Sequence, residues 1–254
     1  THFSIGGRRS GNALIANSSY NGDIAEILIF TAVDANIKAQ VDAYIKEKYF
    51  TNPPAFPATD TDLIIWYEGG YVASAPNPAD PNADVIMLWP DRTGNGYDLN
   101  YMSAYPIIVD GVSTLPTFPL AKMMTFGNGG HQVVSFDGLC GFYKNQYALP
   151  SPLHDAKNQI SVYAVFKNDT EPTNINKRIV EAWSSSGGWS IDLAGDPHNN
   201  KLRFVAGTYI TGAVPPAQMS RVHPAVPVGD WELGYGTFIY DLADPNYIQT
   251  YYNG

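Results

Sequence analysis

Residues 20–50 read YNGDIAEILIF (Tyr20–Phe30), TAVDANIKAQ (Thr31–Gln40) and VDAYIKEKYF (Val41–Phe50). Asn21-Gly22 is a strong turn dipeptide. Ile24, Ala25, Ile27, Leu28, Ile29 and Phe30 follow as a nearly continuous apolar run of strand length, broken only by Glu26. Such a run suits a strand covered on both faces, inside a sheet. The period then changes. Asp34 is placed to cap a helix, and Ile37, Val41, Tyr44, Ile45 and Lys48 recur at helical spacing until Pro53-Pro54 stops the pattern. A buried strand followed by one short amphipathic helix, about residues 34–49, ordinarily closes a domain. Here that pair comes before most of the strands.

Outward from this stretch the texture is that of strands and turns. Thr1 to Gly7 is a short strand ending in Gly6-Gly7, and Arg8 to Ser19 is polar and turn-rich. Thr51 to Asp62, TNPPAFPATDTD, carries three prolines and no periodicity, so it is a linker. Leu63 to Tyr67 opens a new run of strands, Glu68 to Asp84 is a long loop, and Val85 to Trp89 is a short apolar strand. Further strands are expected at Val133–Phe136, Ile160–Lys167, Arg178–Ser184, Trp189–Leu193, Leu202–Thr208, Tyr235–Asp241 and Ile248–Tyr252, each bounded by Gly, Asn, Asp or Pro. Val162 to Phe166 has the composition of a central strand. No helix is expected after residue 60, so the class is all-β sandwich.

Composition agrees. The 254 residues include 23 Gly, 19 Pro and 17 Tyr, which suits many short strands joined by turns. The net charge is -9 with only 15 basic residues and no basic run, so nucleic acid is not an expected partner. One cysteine, Cys140, excludes an intrachain disulfide. No apolar run approaches the length of a membrane helix, and no signal peptide is evident. The chain starts inside an expected strand, so it reads as a processed subunit or a piece of a longer tandem protein.

Several short motifs resemble those of one family. Val85–Leu99, with Trp89, Asp91, Arg92 and Gly94-Asn95-Gly96, resembles the opening "W-x-D-x-S/T-G-N-G" of concanavalin A-like, laminin-G-type (LamG) domains of prokaryotic surface proteins. Val134 to Gly138 is similar to their "V-x-F-D-G" strand, and Tyr251-Tyr252-Asn253-Gly254 to their "Y-x-N-G" hairpin. Phe3–Gly7 resembles the strand that follows that hairpin. Asn21 to Ile27 resembles their closing strand, and Val41–Tyr49 their final helix. The resemblance implies a concanavalin A-like jelly-roll sandwich, extracellular or at the cell surface, without catalysis and without a cofactor other than calcium.

The order departs from the family. Val85 to Gly254 would come first and Thr1 to Phe50 last, so residues 63–254 form a body that lacks its closing strands. Unpaired edges are costly. The expectation is that a neighbouring copy donates residues 1–50, which propagates head to tail into a surface fibre or tandem array. Phe3, Ile5, Ile24, Ile27, Ile29, Tyr252 and Asn253 would form the junction. Two rival classes stand beside it. One is a monomeric carbohydrate-binding module shaped by the loops around Glu68–Asp84 and Ala213–Pro227; the other is a glycoside hydrolase.

Candidate sites are few. A hydrolase of this superfamily uses alternate carboxylates on one strand, whereas Asp23 and Glu26 are three apart and should face opposite ways. His2, His131, His154, His198 and His223 are scattered, with no zinc spacing. Asp80, Asn82 and Asp84 place oxygen ligands at alternate positions, as a calcium loop does, but Val85 stands where the loop needs Gly. Asp91 and Asp98 are expected to brace their own turn. Glycans would stack on exposed members of Tyr97, Tyr101, Tyr105, Trp183, Trp189 and Tyr209. Asn17 and Asn168 lie in N-glycosylation triplets.

Overall fold

The computed structural model describes residues 2–7, 9–10, 13–14, 18–32, 34–50, 62–77, 80–101, 107–109, 112–114, 119–126, 129–145, 159–170, 176–184, 187–195, 201–208, 217–238 and 248–252. The strands are β1 (His2–Ile5), β2 (Arg9–Ser10), β3 (Ala13–Leu14), β4 (Asn21–Phe30), β5 (Leu63–Glu68), β6 (Ala73–Asn77), β7 (Asp80–Trp89), β8 (Leu99–Tyr101), β9 (Ile107–Val109) and β10 (Val112–Thr114). They continue with β11 (Leu120–Phe126), β12 (Gly129–Asp137), β13 (Phe142–Asn145), β14 (Ile160–Asn168), β15 (Lys177–Ser184), β16 (Gly187–Ala194), β17 (Lys201–Thr208), β18 (Ala217–Ala225), β19 (Trp231–Phe238) and β20 (Ile248–Tyr252). Among the described residues the one helix is α1 (Ala35–Phe50).

Sixteen of these strands join in one nearly closed antiparallel sheet, in the order β18-β17-β16-β15-β1-β13-β8-β7-β11-β12-β4-β14-β19-β20, with β5 on β4 and β6 on β7. The join between β7 and β11 is a single register pair, Val85 with Leu120. The two halves of the ladder enclose a common core of Phe3, Ile5, Ile24, Ile65, Trp89, Phe136, Phe142, Phe166, Trp189 and Phe204 among others. The chain is therefore all-β and sandwich-like, and residues of the 1–50 segment share one core with the body.

In the single chain the opening segment pairs with strands of the body after residue 62. β1 inserts between β13 and β15, with Ser4 opposite both Tyr143 and Glu181. β4 pairs with β12 and β5 along one edge and with β14 along the other. Phe3 and Ile5 point into the core, where Phe3 packs on Tyr67 and Trp189. These contacts hold β1 away from β20, which pairs with β19, so the expected hairpin between them does not form. Ile24, Ile27 and Ile29 are likewise fully buried. The Tyr252 side chain, Asn253, Asn17 and most of the linker lie outside the described residues.

α1 begins as its cap residue dictates. The Asp34 carboxylate accepts a hydrogen bond from the Asn36 amide at 2.7 Å. Ile37, Val41, Tyr44, Ile45, Lys48 and Tyr49 are buried against a second apolar layer built from Ala25, Leu28, Phe30, Trp66, Val133, Tyr163, Val165 and Tyr235. The helix thus covers the outer face of the β12-β4-β14-β19 region. One expected loop is replaced by a hairpin, because β6 pairs with β7 across residues 73–88.

Gly6 marks where β1 leaves the sheet. Its φ is +78°, and a Cβ there would meet the Phe136 ring at 2.3 Å. Gly6→Ala combines left-handed strain with overpacking, so a loss of roughly 2–5 kcal/mol is expected in urea unfolding. An unchanged midpoint would show that β1 does not seat as described.

Candidate functional site

Polar side chains gather in four places, and their surroundings separate structural clusters from an open one. The first lies under α1. Glu26 accepts hydrogen bonds from Tyr44 Oη (2.7 Å), Tyr49 Oη (2.9 Å), Trp66 Nε1 (2.7 Å) and Lys48 Nζ (3.1 Å). Lys48 also reaches Glu68 at 2.7 Å, and Glu68 pairs with Arg92, whose guanidinium lies over the Trp66 ring. Burial outweighs the pull of Glu26 and lowers the Lys48 pKa. Both oxygens of Glu26 are engaged by donors of the fold.

The second cluster is the Asp91 turn. Asp91 accepts from the Trp66 amide at 3.0 Å, the Thr93 amide at 3.1 Å and the Thr93 hydroxyl at 2.7 Å, while Asp98 accepts from the Asp91 amide at 2.8 Å. Both aspartates brace backbone, as their sequence context implied.

The third cluster escaped sequence analysis. Asp192 on β16 is fully buried, gripped by Arg203 through Nε (2.8 Å) and Nη2 (3.0 Å) and contacted by Arg178. Arg178 also meets Glu181 at 3.1 Å, and Ser4 donates to Glu181 at 3.1 Å. Burial lowers the Arg203 pKa. Glu181 and Asp192 stand on the face opposite the core, yet each is neutralised by a guanidinium. Only the register of the β15–β16 hairpin, with Glu181 opposite Ser190 and Asp192 opposite Arg178, reveals the group.

The fourth is open. On the outer face beyond the reach of α1, three strands bring short polar residues into two rows. Asn21 of β4 stands opposite Asp137 of β12, and the Asp169 amide donates to the Asn21 carbonyl at 3.1 Å. One step along β4, Asp23 lies between Ser135 of β12 and Lys167 of β14. Strands stand about 4.8 Å apart and like-facing residues about 6.8 Å apart along a strand, so the grid presents polar groups at molecular spacing. The resulting recess has a volume of about 220 Å³ and is lined by Asn21, Leu120, Lys122, Ser135, Phe136, Asp137 and Asp169. Lys167 pairs with Asp23 at 2.9 Å and with Asp169 at 3.3 Å, and these partners raise its pKa against the lowering effect of its partial burial.

Asp23 and Glu26 share this outer face, contrary to the alternation expected from their spacing. A bulge is the reason. Ile24 pairs with Phe166 and Glu26 with Val165, so Ala25 is the extra residue and the pleat reverses. The two carboxylates serve separate clusters and do not form an acid–base pair.

Other candidates resolve as follows. Trp189 and Tyr97 are buried, while Tyr101 and Trp183 are partly buried; Tyr105 and Tyr209 lie outside the described residues. Asp80, Asn82 and Asp84 belong to strand β7 and not to a loop, and their side chains lie outside the described residues. Among the described residues no group of three or more His, Cys, Asp or Glu is placed to hold a metal ion. Asn168 is 1% exposed, and a glycan on its amide requires solvent, so the acceptor triplet is not usable in this fold. His131 packs edge-on against Tyr49; the side chains of His2 and His223, and the whole of His154 and His198, lie outside the described residues. Cys140 is buried, and burial pushes its thiol pKa up, which disfavours thiolate chemistry.

Comparison of the chain with known protein families finds no match, and comparisons with curated proteins and with solved structures likewise find none.

Proposed function

We propose that the chain is a non-catalytic, extracellular adhesive module that works by binding carbohydrate at its surface. One contrast carries this. The carboxylates with the most convergent surroundings, Glu26, Asp91, Glu181 and Asp192, are buried and engaged by donors of the fold itself, whereas Asp137 and Asp169, beside Asn21 at the recess, are exposed. Engaged carboxylates build a scaffold; exposed ones recognise something. The motifs that resemble those of laminin-G-type domains support this use. A printed glycan array probed with the full chain should give selective, saturable binding. Absence of binding to every glycan, at any calcium level, would remove the proposal.

A second reading is self-association, and one observation favours it. All sheet partners of β1 and β4 come from the body after residue 62. The same pairings can be made with the body of another copy, so exchange of residues 1–50 conserves every ladder bond. Size exclusion with light scattering over a wide concentration range, with electron microscopy of the same samples, should then show dimers or fibres. A monomer at every concentration would exclude exchange and leave the carbohydrate proposal intact.

A further inference from the structure

We infer that the recess beside the Asn21-Gly22 turn binds one uncharged sugar residue, an inference that rests on the carbohydrate-binding proposal and gives it a site. The recess offers the mixture a polyhydroxylated ring requires. Asn21 supplies an amide, Ser135 a hydroxyl, Asp137 and Asp169 acceptors, Lys122 a donor, and Leu120 an apolar wall. Its volume of about 220 Å³ suits a single small ring.

A second observation points to a missing partner. Asp23 is only 5% exposed, and its Oδ1 accepts no hydrogen bond. Its other oxygen is held by Lys167 at 2.9 Å, and Asp23 stands on β4 beside Ser135, whose side chain lines the recess. Lys122 Nζ stands 3.8 Å from Oδ1, beyond hydrogen-bond length, on a side chain 51% exposed. A buried carboxylate oxygen without a donor is costly and rare. A ligand hydroxyl entering beside the exposed end of Lys122 can donate to Oδ1 and accept from the ammonium, which completes both. Asp137 and Asp169 are exposed and acidic, so they repel a carboxylated sugar. The ligand class is therefore neutral hexose or N-acetylhexosamine.

The test titrates the full chain with glucose, galactose, mannose, N-acetylglucosamine and galacturonate by saturation-transfer nuclear magnetic resonance and calorimetry. At least one neutral sugar should bind, galacturonate should not, and added EDTA should change nothing. Asp169→Ala and Lys122→Ala, both at exposed positions, should each weaken that sugar at least fivefold with thermal midpoints unchanged. Asn100→Ala, exposed on β8 away from the recess, should leave affinity as it was. If none of the sugars or arrayed glycans binds the unaltered chain, the carbohydrate proposal itself fails. If binding occurs but both recess variants bind as tightly, or binding is lost in EDTA, the recess is not the site and the broader proposal survives.

Discussion

Glu26→Ala is expected to destabilise the protein by about 3–5 kcal/mol, the range for removing one partner of a buried charge pair. The residue is 1% exposed and receives Tyr44, Lys48, Tyr49 and Trp66. Three of these donors belong to α1 and one to β5, so the carboxylate ties the helix to the sheet across both elements. Deletion removes the acceptor these four buried donors share and leaves Lys48 with Glu68 as its remaining counter-ion at 2.7 Å. For a domain of this size each kcal/mol moves the thermal midpoint by about 2–4 °C, so a fall on the order of 10 °C is expected. The double variant Glu26→Leu with Lys48→Met should be less harmful than Glu26→Ala, because apolar replacement of both charges removes the desolvation term. Calorimetry of the three proteins decides. A midpoint for Glu26→Ala within 2 °C of the parent (about 1 kcal/mol or less) would show that α1 is not anchored through this carboxylate.

The sequence disclosed this helix and its strand readily, because both signals are local. Asp34, the 3.6-residue spacing from Ile37 to Lys48, and the apolar run from Ile24 to Phe30 each lie within a few turns or pleats. The strands from β14 to β17 were legible for the same reason, each being a short apolar run between turn residues. Other features needed register. The bulge at Ala25 inverts the alternation on which the placing of Asp23 and Glu26 depended. The hairpin of β6 and β7 hides in a Pro- and Asp-rich run that has turn chemistry but pairs nonetheless. β11, LAKMMTF, has one β-branched residue, Thr125, and no alternating pattern to mark a strand. The recess draws on Asn21, Leu120, Lys122, residues 135–137 and Asp169, which no local pattern joins.

Raising the pH should destabilise the protein steeply once it passes pH 10 and unfold it within about one to three further units, and the slope identifies the groups responsible. Tyr20, Tyr44, Tyr49 and Tyr67 all have pKa values raised above the ordinary 10.0, first by burial and then by neighbouring carboxylates: Asp23 for Tyr20, Glu26 for Tyr44 and Tyr49, Asp91 for Tyr67. Each hydroxyl donates a hydrogen bond that requires its proton: Tyr20 to the Lys167 carbonyl, Tyr44 and Tyr49 to Glu26, Tyr67 to the Tyr97 carbonyl. The native state therefore keeps protons that the unfolded chain releases above pH 10. The stabilisation is fully present below that value and is lost as pH rises beyond it. One group contributes about 1.4 kcal/mol per pH unit, so four together contribute about 5–6 kcal/mol per unit. Lys48 acts in the opposite sense, since its pKa is lowered, but it gives at most one proton and only below its ordinary 10.5. A typical domain has about 5–15 kcal/mol in hand, so one to three pH units suffice. Urea unfolding at successive pH values, read beside the ultraviolet absorbance of phenolate, should show these tyrosines ionising only together with loss of structure. Smooth ionisation of all 17 tyrosines near pH 10 in a protein that stays folded would mean that the hydroxyls are not held by the carboxylates and carbonyls named here.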